Sequence, residues 1–349
     1  MLRLLTWPVW NGEERRLRAL PRLLVLAVLY VVALAPVALA YGDGELGGRL
    51  LGLDLPTVDL TRESNPEAAF SDAGLHALIL LLTVLTVAVA CRTVDRRALD
   101  HLGLRVDGVW CFDALAGTLI GVALIGGIAA LEASLGWATF RIQPGVEQIP
   151  RVAFAGVTLV VWTGVAVNEE LLFRGYLFTN TAEGLGGPSA RVTFVTLVLT
   201  SVLFGLAHAL NPHASAVSTS HIVLAGLWLG LGRVLTGELS LPIGLHLGWN
   251  LAQNLFGMPV SGQSRFAYGS VWLREEHGPA WLTGGAFGPE AGLTGLAGLV
   301  LGIALVLGWL ALRGAALRLV PIGHEGRRPL GRSPRRAQLH HSPAQQGGT

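Results

Sequence analysis

The chain contains no lysine: all 25 basic residues are arginine, set against 23 aspartates and glutamates. Net charge is therefore uninformative, and nothing in it calls for a nucleic-acid partner. Only two cysteines are present, Cys91 and Cys111, which excludes a disulfide scaffold and marks both as free thiols. Charged residues make up only 14% of 349, where a soluble domain carries about a quarter. No internal repeat suggests the inverted halves of a transporter. What is abundant is apolar: 52% hydrophobic residues and a mean hydropathy of +0.55. The lipid bilayer is the expected environment.

Eight apolar segments are long enough for about 30 Å of hydrocarbon, at roughly 20 residues each. They lie near 20–41, 74–91, 114–137, 154–181, 191–210, 219–236, 239–257 and 291–313, so the expected fold is an all-α polytopic membrane protein. The first segment is too long for a signal-peptide core and lacks a small-residue cleavage site, so it is expected to stay. With the N-terminus inside, 18 arginines fall on the cytoplasmic side, six outside, and Arg174 within the membrane. That asymmetry puts both termini in the cytoplasm of a multi-pass cell-membrane protein. The expected organisation is a cytoplasmic segment 1–19, three helices over 20–137, a polar-motif core over 150–257, an outer loop 258–290, a last helix 291–313, and an Arg-rich disordered tail 314–349. Trp272 and Trp281 suit the membrane interface. The 46 glycines permit close helix packing and say nothing about chemistry.

Against this background, ionisable residues inside a span stand out, because each carboxylate costs about 2.5 to 3.5 kcal/mol on insertion scales. Glu169 and Glu170 close the apolar run that begins at Phe154, and Arg174 follows. Residues four apart share a helix face, so Glu170 and Arg174 can pair. Glu169 points into another sector and is left free for chemistry; the bland alternative is an ion-pair cluster that locks two helices. The next span carries Phe204 and His208. Counted from the turn at Pro188, Glu169 lies 19 residues back and His208 lies 20 forward. Equal rise in both helices places the two at one depth, facing each other. His246, Asn250 and Asn254, spaced by four, form a polar stripe roughly 13 Å from the turn near Gly237. His213 and His221 read as interfacial.

Taken together, Glu169-Glu170-Leu-Leu-Phe-Arg174, Phe204-Gly-Leu-Ala-His208 and His246-Leu-Gly-Trp-Asn250 resemble the three motifs of the CPBP intramembrane protease family. That family includes CAAX prenyl endopeptidases and bacterial lysostaphin-resistance and bacteriocin-immunity proteins. The resemblance covers about residues 150–257. It implies an intramembrane glutamic-type endopeptidase without a cofactor, acting on a peptide or protein substrate at the membrane. Glu169 and His208 would activate a water, His246 and Asn250 would donate to the oxyanion, and Glu170 and Arg174 would hold the geometry. Two alternatives stay open. One is a zinc-dependent metalloprotease with Glu169, His208 and His246 as ligands, although no His-Glu-x-x-His motif is present. The other is a non-catalytic immunity or scaffold protein.

Overall fold

The structure, a computed structural model, describes residues 9–11, 16–42, 66–143, 151–263, 270–315 and 317–322. The expectations for 43–65 and for the polar tail from 323 onward lie outside the described residues. The apolar segments fold as helices α1 (Ala19–Gly42), α2 (Pro66–Ala90), α3 (Gly108–Ser134), α4 (Arg151–Glu170), α5 (Phe178–Gly184), α6 (Ala190–Ala207), α7 (Ala216–Thr236), α8 (Ser240–Leu255) and α9 (Leu293–Leu312). A wide π turn, Leu171–Leu177, joins α4 to α5 without a break in the rod. Polar caps set three of the starts. Asp107 accepts from Trp110 N at α3, Ser189 accepts from Val192 N at α6, and Ser215 forms a capping box with Ser218 at α7.

Seven rods among the described residues are long and apolar enough to cross a membrane: α1, α2, α3, α4–α5, α6, α7 and α9. The chain is an all-α polytopic membrane protein. The segment expected over 239–257 is a helix of a different kind. α8 has 16 residues, a rise of about 24 Å, which is short of the hydrocarbon thickness. It is enclosed by other helices rather than lipid, and most of its side chains are buried.

Glycine explains how α8 is held. Gly117 and Gly121 of α3 interleave with Gly244 and Gly248 of α8. A Cβ on Gly244 would overlap the carbonyl of Ala114, and one on Gly248 the carbonyl of Thr118. The two backbones therefore touch, as small-residue stripes allow in membrane helices. α9 closes over the same core, with Gly302 against the Trp228 indole and Trp309 Nε1 donating to Asp113 at 2.9 Å.

Two charge clusters fasten the ends. At one end Glu183 accepts from Arg22 and Arg97, both at 2.8 Å, with Arg16 at 3.3 Å, while Arg22 also reaches Asp95 at 3.0 Å. These arginines read from sequence as topology signals; here they lie in buried ion pairs tying α1 and the end of α2 to α5. At the other end strand β3 (Ala138–Ile142) pairs antiparallel with β4 (Trp272–Glu276). Arg274 of β4 binds Glu132 of α3 at 2.8 Å. A further two-stranded pair, β1 (Trp10–Asn11) with β2 (Arg16–Leu17), precedes α1. Within the segment assigned to the tail, residues 317–322 pack on the bundle: Val320 N donates to Val234 O at 2.7 Å, and Ile322 is buried.

Candidate active site

α4, α6 and α8 bring the three motifs to one place. Glu170 is fully buried, and its Oε1 accepts from Arg174 Nη1 at 2.7 Å and from His246 Nδ1 at 2.9 Å. Arg174 sends a second bond to the carbonyl of Gly226 on α7 at 3.2 Å, a partner that sequence spacing did not indicate. Its guanidinium lies 4.1 Å from the centre of the Phe204 ring, within cation–π range. The π turn that carries Arg174 starts immediately after Glu170, and such wide turns recur at functional sites.

Glu169 is placed differently. Its side chain is 24% exposed, and Oε2 lies 3.8 Å from His208 Nε2 and 3.9 Å from His246 Nε2. The opposition of Glu169 and His208 expected from counting about the turn is therefore present in the fold. Among the described residues, neither Glu169 Oε2 nor Glu170 Oε2 has a hydrogen-bond partner. Asn250 is buried one turn beyond His246. Asn254, a turn further on, accepts from Trp162 Nε1 of α4 at 3.0 Å.

The histidine tautomers follow from their neighbours. His208 Nδ1 lies 2.8 Å from the Phe204 carbonyl; a carbonyl can only accept, so Nδ1 carries the proton. A neutral His208 then presents a bare Nε2 to Glu169. His246 Nδ1 faces Glu170 Oε1, the oxygen that also accepts from Arg174, so Nδ1 carries the proton here too. With Nδ1 so used, His246 can donate through Nε2 only as an imidazolium.

Phe204 supports the whole arrangement. Its ring centre lies 4.6 Å from that of His208, 5.2 Å from Phe173 and 6.2 Å from His246. Sequence reading placed Phe204 in a motif and gave it no task. The structure makes it the apolar floor on which a guanidinium and two imidazoles rest.

His213 and His221 stand apart from this cluster. His213 is exposed, as an interfacial residue would be; His221 is half-buried and hydrogen-bonds the Glu290 carbonyl at 2.9 Å. They line a cavity of about 460 Å³ with Trp281 and Phe287, to which Glu169, His208 and His246 do not contribute. Among the described residues no group of three or more histidine, cysteine, aspartate or glutamate side chains is arranged to hold a metal ion.

Residues 151–252, which contain all three motifs, match the family described as Type II CAAX prenyl endopeptidase Rce1-like. An uncharacterized 24.3 kDa protein of Escherichia coli is 29% identical over 156 residues, 44% of this chain and 66% of that relative. The chain thus spans just under two thirds of the length of the curated relative it matches. No solved structure matches. Segment 151–252 is thus similar to Rce1-like type II CAAX prenyl endopeptidases, and the similarity covers the part of the chain that holds all three motifs.

Proposed function

We propose that the protein is an intramembrane endopeptidase that hydrolyses a peptide bond of a membrane-associated substrate, with a C-terminal prenylated CAAX tail as the leading substrate class. One observation carries the reading: the Glu169 carboxylate, without a hydrogen-bond partner at Oε2 among the described residues, faces the Nε2 atoms of two histidines across gaps of 3.8 and 3.9 Å. Both gaps are too long for direct hydrogen bonds. They fall short of the roughly 4.5 Å spanned by two ideal bonds through one water, a difference that small side-chain movements close.

In this scheme a water held between Glu169 and His208 gives up a proton to that pair while its oxygen attacks the peptide carbonyl carbon. His246, as the imidazolium paired with Glu170, and Asn250 donate hydrogen bonds to the oxygen that becomes negative. Collapse of the tetrahedral intermediate breaks the C–N bond, and the stored proton passes to the leaving amine. Charge balance supports the division of tasks. Two carboxylates face one guanidinium, so one additional proton, carried by His246 in this scheme, neutralises the cluster in surroundings where net charge is costly. Glu170 and Arg174 position His246 without touching the reacting atoms. Both termini lie in the cytoplasm under this reading, with the protein in the cell membrane.

The Glu169→Gln variant tests the proposal. Cleaved C-termini of membrane proteins, compared between cells carrying the wild type and the variant, are expected to vanish with the variant at equal protein abundance. Cleavage that persists overturns the peptidase reading in favour of a scaffold. Purified protein stripped by exhaustive chelation is expected to keep its activity. Loss of activity that only zinc restores moves the assignment to the metalloprotease alternative.

A further inference from the structure

The glutamate pair follows Asn168, whose amide points away from the site. Asn168 Oδ1 lies 3.1 Å from the Tyr30 hydroxyl of α1 and 2.5 Å from Thr83 Oγ1 of α2. Thr83 Oγ1 also lies 2.8 Å from the Ile79 carbonyl. With a single hydroxyl proton, Thr83 either donates to the amide oxygen, or donates to Ile79 and accepts from a turned amide nitrogen. In both cases the amide is pinned between two hydroxyls inside an apolar bundle. Neither α1 nor α2 belongs to the segment 151–252 that matches the family.

We infer that Tyr30, Thr83 and Asn168 form a rotational clamp that positions Glu169, so that the N-terminal helices take part in setting the catalytic geometry. The inference rests on the hydrolytic role of Glu169. Successive residues of a helix project about 100° apart, so fixing Asn168 against α1 and α2 fixes the direction of Glu169 towards α6 and α8. A rotation of ~20° about the α4 axis would carry the Glu169 carboxylate ~2 Å. Misplacement by about 1 Å costs on the order of 100-fold in rate. The close contact of α2 and α4 allows the clamp to reach: a Cβ on Gly164 would lie 3.2 Å from the His76 carbonyl oxygen. Tyr30, Thr83 and Asn168 are positioning residues, since they touch no reacting atom.

The test compares Thr83→Val, which keeps shape and loses the hydroxyl, with Thr83→Ser, which keeps the hydroxyl. Wild type, both variants and Glu169→Gln are assayed in proteoliposomes on a prenylated CAAX peptide. Thr83→Val is expected to lower kcat about tenfold with KM within twofold and an unchanged thermal midpoint, and Thr83→Ser to restore kcat. Adding Thr83→Val to Asn168→Leu is expected to lower kcat no further than Asn168→Leu alone. Should Thr83→Val fail to fold, Tyr30→Phe decides by the same kcat criterion. A hydroxyl-less variant with wild-type kcat, while Glu169→Gln is dead, overturns the clamp and leaves the peptidase intact. An active Glu169→Gln overturns both.

Discussion

Two buried charge clusters in this bundle share their ingredients and differ in how far they are closed. Around Glu183, three guanidiniums and two carboxylates meet, with Glu183 held by three arginines at 2.8 to 3.3 Å. Around Glu169, one carboxylate is equally tight: Glu170 is bonded at 2.7 and 2.9 Å. Its neighbour stands 3.8 and 3.9 Å from both imidazoles and keeps 24% of its side chain exposed. A cluster whose carboxylate is gripped at ion-pair distance fastens helices. A cluster whose carboxylate lies beyond hydrogen-bond reach of its imidazoles has room for a guest. An ionisable residue inside a span is a functional candidate by default, and under the proposed function partner distance separates the fastener from the reactive site.

The sharpest way to break this comparison is to make the same isosteric change in each cluster. Glu169→Gln is expected to remove hydrolysis by at least about a thousandfold, on the scale of losing an essential catalytic group, while the thermal midpoint stays put. Glu183→Gln is expected to do the reverse. It leaves Arg16, Arg22 and Arg97 facing Asp95 alone, and orphaned buried charges cost about 3–5 kcal/mol. Folded yield and thermal midpoint in detergent should drop, while kcat per folded molecule stays within about twofold. If Glu183→Gln lowers kcat with an unchanged midpoint, the distinction between the two clusters fails.

Much of the reactive cluster was legible because its logic is local. Spacing of four pairs Glu170 with Arg174, and counting about the turn at Pro188 brings Glu169 to His208, since helical rise is the same in both directions. The fastening cluster was not legible. An arginine flanking a span reads the same whether it rests at the membrane surface or, like Arg22, binds a carboxylate 161 residues away. The enclosure of α8 was hidden for a related reason. Gly244 and Gly248 become a packing surface only once Gly117 and Gly121 are known to face them, and apolar composition does not distinguish a lipid-facing helix from one surrounded by protein. The Gly226 carbonyl that receives Arg174 carries no side-chain signal at all. The segment 317–322 had one, an apolar Leu-Arg-Leu-Val-Pro-Ile at the head of a polar tail.

Glu290 extends the comparison to a third kind of buried acid, one that lacks both the guanidiniums of the first cluster and the gap of the second. It sits in the turn Pro289–Ala291 before α9, 4% exposed. Its carboxyl faces the side chains of Gln253, Trp249 and Ser261, and its main-chain carbonyl faces His221. Burial pushes the carboxyl up to about 7, with the hydrogen bonds from Gln253 and Trp249 opposing the rise. In the unfolded chain a glutamate titrates near about 4.3. Between those values the folded state keeps a proton that the unfolded state has lost, so stability is highest below the lower value. It falls as pH rises through the window and levels off above about 7. The change is on the order of 3 kcal/mol. Glu290→Gln stays neutral throughout, so its thermal midpoint should match wild type near pH 4, where bundle integrity permits measurement, and exceed it at pH 8. Parallel curves for the two proteins would mean that Glu290 is ionised and compensated in the fold. It would then belong with the fastening acids around Glu183.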